Sequence, residues 1–297
     1  MRLIGIFVLS SAVMTLAQAQ TAPAPKASAP AAAEQVKAAP AKAFNPKDLT
    51  GTYHRETPFQ TYSNVPGGAN ELQAFILGQA AAPRKLDVPT EEAPFTPAGQ
   101  AAFDKNIPSY GRRITAPRVG NDPQGMCDPW GVPRMLNGQV AGPHSTLEIL
   151  VTPGRTFMFS AWHHDYRIVY TDGRKLPKME DAEPKWNGYS VGAWEGDTFV
   201  VKSIGFDDRT WLDHNGYPHT DQMQLEERYH KKDANTLEMD ETIIDPMYYS
   251  KPFKSDHKVW KLIKDWDKAW DEQIYCVPSE EFKFNNLIRD GNVGNQK

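Results

Sequence analysis

From Thr146 onward, short runs rich in Val, Ile, Phe, Tyr, Trp and Thr recur, each closed by a turn signal. No other feature restricts the fold as tightly. The runs are Thr146–Thr152, Thr156–Tyr170, Gly188–Trp194, Thr198–Ile204, Gln222–Lys231, Thr236–Ile244, Lys254–Ile263 and Trp270–Val277. Between them stand Pro153-Gly154, Asp172-Gly173, Glu195-Gly196-Asp197 and Lys232-Asp233-Ala234-Asn235. Gly, Asn and Asp tolerate the backbone of tight turns, so each cluster reads as a hairpin connection. Strands of this length with turns at this spacing predict an antiparallel sandwich or barrel. All eight tryptophans lie at or after Trp130, which places the hydrophobic weight in this half. The expected fold is all-β: an antiparallel meander closed into a calycin-like barrel, a shape that encloses ligand cavities.

The preceding chain has a different texture. Residues 1–19 read as a secretory signal, with Arg2 ahead of the apolar run Leu3–Leu16 and a small-residue cleavage site at Ala17-Gln18-Ala19. That run is short for a membrane span, so a periplasmic or secreted protein without a membrane segment is expected. Residues 20–45 form an Ala/Pro/Lys spacer that cannot bury enough apolar surface to offset chain entropy. Residues 46–144 read as an irregular arm around the β domain of 145–280, and 281–297 as a tail. Within the arm, Asp48–Tyr53 suggests an opening strand, and Ala69–Leu77 a short helix. A second helix is expected at Thr96–Phe103, with Thr96 as N-cap and Pro97 as its first residue. Removing the leader takes out one arginine and moves the formal charge from −4 to −5. Such mild acidity argues against nucleic acid or an anionic membrane as partner. Oligomeric state is not legible.

Two cysteines, Cys127 and Cys276, remain in a chain expected to be exported. An even count in an oxidising compartment favours a disulfide between them, with two separate buried thiols as the alternative.

The blocks CDPWGVPRML, TPGRTFMFSAWHHDYRIVYTDGR, YSVGAWEGDTFVVKSIGF and TWLDHNGYPHTDQMQLEERY, with the Asp245-Pro246 step, resemble a large family of exported bacterial β-rich proteins. The similarity covers roughly residues 106–276. His164 and Arg167 match the His and Arg of that family's strand before the Asp-Gly turn. Pro218-His219-Thr220 and Glu227-Arg228-Tyr229 match its PH[ST] and ERY steps. Its members more often carry an acidic residue at the position of His163. The resemblance implies export and a β domain; it implies no reaction.

The candidate chemistry gathers in two strands and one loop. Alternation along Thr156–Tyr170 sets Trp162, His164 and Tyr166 on one face and His163, Asp165 and Arg167 on the other. Along Gln222–Tyr229, Glu227 and Tyr229 fall on the face with Met223 and Leu225. A carboxylate turned inward is costly unless paired, so Glu227 is either neutralised as structure or a general acid/base in a cavity. The loop Gly205–His219 brings Trp211, Asp213 and His219 to a barrel mouth, where functional residues gather. These observations point to His164, Arg167, Glu227 and His219 as a catalytic set. Trp162, Tyr166, Trp211, Asp213 and Tyr229 would line the ligand site. The bland reading is a satisfied core histidine, a surface ion pair at Asp165/Arg167 and a loop plug.

A metal is not expected. His163 and Asp165 share a strand face and His214 or His219 could join them, but no diagnostic ligand spacing occurs. Gly188-Tyr189-Ser190-Val191-Gly192 spells a nucleophile elbow, yet a hairpin follows where a helix is required. The expected function is therefore a cofactor-independent acid/base enzyme (lyase, isomerase or hydrolase) acting on a small apolar or aromatic compound. A non-catalytic ligand-binding protein of the same barrel type is the alternative.

Overall fold

The computed structural model describes residues 44–55, 93–108, 120–137, 146–160, 165–264, 276–280 and Lys283. The leader, the spacer, the helix expected at Ala69–Leu77 and most of the strand expected at Trp270–Val277 lie outside these residues.

Ten strands form one sheet: β1 Gly51–Arg55, β2 Thr146–Thr152, β3 Arg155–Ser160, β4 Tyr166–Tyr170, β5 Tyr189–Glu195, β6 Thr198–Ile204, β7 Gln224–Asp233, β8 Thr236–Ile244, β9 Phe253–Lys254 and β10 Lys258–Leu262. Their order is β10-β1-β2-β3-β4-β5-β6-β7-β8-β9, and β10 also pairs with β8. The sheet thus closes into a nine-stranded barrel, with β9 appended beside β8. The expected all-β barrel is the fold. Closure removes the exposed sheet edges that would otherwise invite further pairing.

Local residue patterns account for the hairpins. Gly154 and Gly196, with φ of 77° and 61°, take the left-handed backbone at the β2–β3 and β5–β6 turns. Alternation then decides the faces: Leu225, Glu227, Tyr229 and Lys231 of β7 point inward opposite Leu237, Met239, Glu241 and Ile243 of β8.

Three features depart from expectation. The long strand Thr156–Tyr170 is two strands, because the chain reverses between Ser160 and Asp165. Ser160 N–H donates to the Asp165 carbonyl at 2.8 Å, and Met158 pairs with Arg167. The meander is also not wholly antiparallel, since β4 and β5 run parallel. Parallel neighbours need a long crossover, and Thr171–Gly188, with a 3-10 turn at Met179–Asp181, carries the chain back along the barrel. Finally, the barrel extends beyond 145–280. β1, from the arm, pairs with both β2 and β10 and completes the ring.

One barrel end is built from connections. There β1, β3, β6 and β8 finish and β2, β4, β5, β7 and β10 begin. Around this end lie helix α1 (Pro97–Lys105), a 3-10 turn at Pro123–Met126 followed by the single-turn α2 (Arg134–Asn137), and the loop after β6. The Thr96 hydroxyl accepts the Gly99 amide at 3.0 Å, so the expected cap and the Pro97 start both hold. Gly99 is buried against the chain after β8, where a Cβ would come within 2.0 Å of the Tyr248 carbonyl oxygen. Phe103, one turn on, stacks on Phe95 and meets Tyr217 at 4.9 Å between ring centroids.

Cys127 and Cys276 form a disulfide across 149 residues of chain. It is compatible with an oxidising environment. Closing so long a loop restricts the unfolded chain, and its removal should cost about 2–5 kcal/mol. The Cys127→Ser/Cys276→Ser double variant checks this by denaturant unfolding, and an unchanged midpoint would show the crosslink to be idle. No helix among the described residues is long and apolar enough to cross a membrane.

Candidate functional site

Arg167 and Glu227 meet inside the barrel, as their inward positions on β4 and β7 require. The guanidinium donates through Nη1 and Nη2 to the two carboxylate oxygens at 3.1 and 2.6 Å. Tyr229 donates its hydroxyl to Glu227 Oε1 at 2.8 Å. Burial, with the Glu227 charge adding to it, pushes the phenol well above its ordinary value and keeps it a donor. Glu227 has no exposed surface and Arg167 is 2 % exposed. A second buried group lies beside them: Lys258 contacts Glu241 at 3.0 Å, and Arg55 contacts Asp256 at 2.8 Å. Arg55, Arg167 and Lys258 thus balance Glu227, Glu241 and Asp256, which is what burial of so many charges demands. With both carboxylate oxygens held by Arg167, Glu227 is committed as structure and is poorly placed to move a proton.

The other expected residues scatter. His163, His164 and Trp162 lie outside the described residues. Tyr166 does not line an interior site: it sits on the outer face, 53 % exposed, tilted against Phe159. Its neighbour across the pleat, Arg167, takes the inward position. Asp165 accepts the Asn187 side-chain amide at 2.9 Å and the Tyr166 amide at 2.8 Å, and burial raises its pKa. The bland alternative, a surface ion pair between Asp165 and Arg167, does not form, because Arg167 is turned to Glu227. Asp213 is buried beneath the loop it organises, accepting from Asn215 N, Asn215 Nδ2 and, at 3.4 Å, Tyr217 N. Desolvation pushes its carboxyl up to about 6. Among the described residues no group of three or more His, Cys, Asp or Glu is placed to hold a metal.

His219 and Trp211, by contrast, line a cavity of about 500 Å³ between α1 and the loop after β6. This lies within the range of small-molecule sites. One wall is the α1 face bearing Ala98, Ala101, Ala102 and Lys105, at the i, i+3, i+4, i+7 spacing of one helical stripe. Gly99 and Phe103 dock the helix, leaving the small alanines to border open space. Asn106, Asp208, Arg209, Pro218 and Tyr248 complete the walls, and Thr210 and His219 the floor. Arg209 is held by Asp207 through Nε and Nη2 at 2.8 and 2.6 Å and lies over the Trp186 ring at 4.2 Å. On the far side of Trp211, Arg134 stacks on both Trp130 and Trp211 while Asp122 grips its guanidinium at 2.8 and 2.7 Å.

The floor is a hydrogen-bonded chain of residues brought from three segments. Thr210 Oγ1 lies 2.6 Å from His219 Nε2, and His219 Nδ1 lies 3.0 Å from the Thr220 carbonyl. Thr220 is itself fixed by Asp245, which accepts its amide at 2.6 Å and its hydroxyl at 3.0 Å. A carbonyl only accepts, so Nδ1 carries a proton. Burial lowers the His219 pKa, partly opposed by the Thr220 carbonyl and by Asp245, Asp208 and Asp207. The ring is therefore neutral near pH 7 and Nε2 is a lone pair. The single Thr210 hydroxyl proton has two acceptors in reach, the Asp207 carbonyl at 3.0 Å and Nε2 at 2.6 Å, and the shorter contact to a lone pair requires the proton to lie toward Nε2. That is the arrangement of a hydroxyl with its general base.

Sequence reasoning reached His219 and Trp211 but missed Thr210, Tyr248 and the alanine wall. Thr210 stands directly before Trp211 in the TWLD block, one residue from a recognised candidate. The alanines were hidden because a small-residue helix face carries no chemical signature of its own. Comparisons of this chain with protein-family models, with curated proteins and with solved structures return no match.

Proposed function

We propose that the cavity between α1 and the loop after β6 is a small-molecule site. On this reading the protein is an exported, cofactor-independent acid/base enzyme acting on a small apolar or aromatic compound. One observation carries it: a buried imidazole whose Nδ1 is committed to the Thr220 carbonyl holds Nε2 2.6 Å from a threonine hydroxyl in the lining of an open cavity. His219 is the proton acceptor, Thr210 the hydroxyl it activates, and Trp211 with Tyr248 supplies the aromatic contact surface. The leader, the resemblance to exported proteins and the disulfide support export.

The site can be tested without disturbing the floor. Ala101 is exposed on α1 and borders the cavity, so Ala101→Phe should obstruct it and change stability by less than about 0.5 kcal/mol, as for surface substitutions generally. Phenylacetamide, an uncharged aromatic probe, should quench tryptophan fluorescence saturably in the wild type and lose at least tenfold in affinity in the variant. Equal binding by both would place the ligand site elsewhere. A non-catalytic binding role is the second reading. It is favoured by the near-complete burial of Thr210 and His219, 2 % and 1 % exposed, which suits a rigid contact as well as a reactive one.

A further inference from the structure

We propose that Thr210 is the nucleophile of a two-step acyl transfer in this cavity, with ester hydrolysis as the net reaction. The inference rests on the acid/base reading above and deepens it by naming the reaction and the substrate class.

The geometry supplies the parts in order. Nucleophile and base are in contact at 2.6 Å, and the base is oriented through Nδ1 by the Thr220 carbonyl at 3.0 Å. That carbonyl occupies the place a carboxylate holds in the better-known triads, and Asp245 keeps it there by gripping Thr220 at two atoms. Two donors from the residues flanking Thr210 are assigned to a developing oxyanion. The amide of Trp211, the residue after it, takes part in no hydrogen bond among the described residues. The Arg209 guanidinium donates to Asp207 through Nε and Nη2, which leaves Nη1 for a ligand. The three alanine methyls face a cavity shared with Trp211 and Tyr248, which fits a planar apolar acyl or aryl group.

The chemistry closes without a redox partner. Thr210 Oγ bonds to the ester carbonyl carbon while His219 Nε2 takes the hydroxyl proton. The tetrahedral oxyanion collapses, the bond from carbon to the leaving oxygen breaks, and His219 returns the proton to the departing alcohol. Water, deprotonated by the same Nε2, then attacks the acyl-threonine. The carboxylic acid leaves and the Thr210 hydroxyl is restored. The literal elbow motif plays no part: Ser190 is buried between β5 and β6, with its hydroxyl 2.8 Å from that of Ser203.

The test uses the full chain with an aryl fluorophosphonate, which traps a nucleophilic hydroxyl, and with 4-nitrophenyl acetate. The expected result is a single phosphonyl adduct on the peptide containing Thr210 and a burst of nitrophenolate. Both should persist in Thr210→Ser and vanish in Thr210→Val, which keeps the side-chain shape and loses the hydroxyl. His219→Gln should slow adduct formation by at least about 100-fold, the lower range for loss of a general base. The wild-type rate should fall as acid protonates Nε2, below the ordinary histidine range. Phenylacetamide binding is measured on the same samples. Binding without an adduct at Thr210 overturns the nucleophile and leaves the small-molecule site standing. Absence of both overturns the two together. An adduct that survives Thr210→Val also sinks the proposal.

Discussion

Glu227→Ala should destabilise the protein by about 3–5 kcal/mol, the usual consequence of removing one partner of a buried ion pair. The carboxylate is wholly buried and accepts from Arg167 at 3.1 and 2.6 Å and from Tyr229 at 2.8 Å. Its removal strands an interior guanidinium and a phenol hydroxyl together. Most of the loss is thus the desolvation of what remains, not the worth of the pair. A triple variant makes the point separable. Arg167→Met, Glu227→Leu and Tyr229→Phe together remove every member of the group, and the result should be near neutral or stabilising. Denaturant unfolding at pH 7 measures both. A loss below about 1 kcal/mol in Glu227→Ala would mean that the pair is not desolvated as described. The same variants address the earlier expectation that Glu227 is catalytic. If Glu227→Gln abolished turnover at unchanged stability, the reactive centre would lie inside the barrel and not beside α1.

The second large effect is on acid stability, and it opposes two neighbours in sequence. His214 is buried, with Arg134 close by, and its pKa falls to about 3 from 6.5, chiefly through desolvation. Between these values the unfolded chain binds a proton that the folded protein refuses. Stability therefore declines as pH falls from 6.5 toward 3, by about 1.4 kcal/mol per unit. Asp213 acts in the other direction. Its folded-state pKa of about 6 exceeds the ordinary 3.8, so the folded protein holds a proton that the unfolded chain has lost. Its contribution is full below pH 3.8 and is lost as pH rises through about 6. In the overlap the two slopes cancel.

Difference measurements isolate each group, because titrations common to both proteins drop out. Relative to the wild type, His214→Gln should gain stability steadily as pH falls below 6.5. Asp213→Asn should gain as pH rises from 3.8 to 6 and stay level above that. Urea midpoints collected from pH 4 to 7.5 would show this. A flat difference for His214→Gln across the window would mean that His214 titrates as an exposed histidine.

Much of the architecture was legible because it is local. Alternation and turn residues place β2, β6 and β8 at Thr146–Thr152, Thr198–Ile204 and Thr236–Ile244, the expected bounds. Thr96 and Pro97 mark the start of α1 for equally local reasons. The misreading of Thr156–Tyr170 as one strand has the converse cause. Its residues all favour strands, and no Gly, Pro or Asn separates Ser160 from Asp165 to announce the reversal. A consequence was that alternation set His164 and Arg167 on opposite faces of one strand, a constraint that vanishes once the run is broken.

The site divides in the same way. Residue type and spacing set Glu227 inward, drew attention to the loop of Trp211 and His219 that borders the cavity, and favoured pairing of the cysteines. They did not set which carboxylate meets which cation. Arg167 and Glu227 lie 60 residues apart, and barrel closure through β1 and β10 decides what shares the interior. Tertiary structure alone also moved the candidate site out of the barrel. It seats α1 through Gly99 and Phe103 so that its alanines face Trp211, and it places Asp245 under Thr220 so that His219 turns Nε2 toward Thr210. Periodicity reports which face of an element is buried. The partner across that face depends on register and closure, which are properties of the assembled chain.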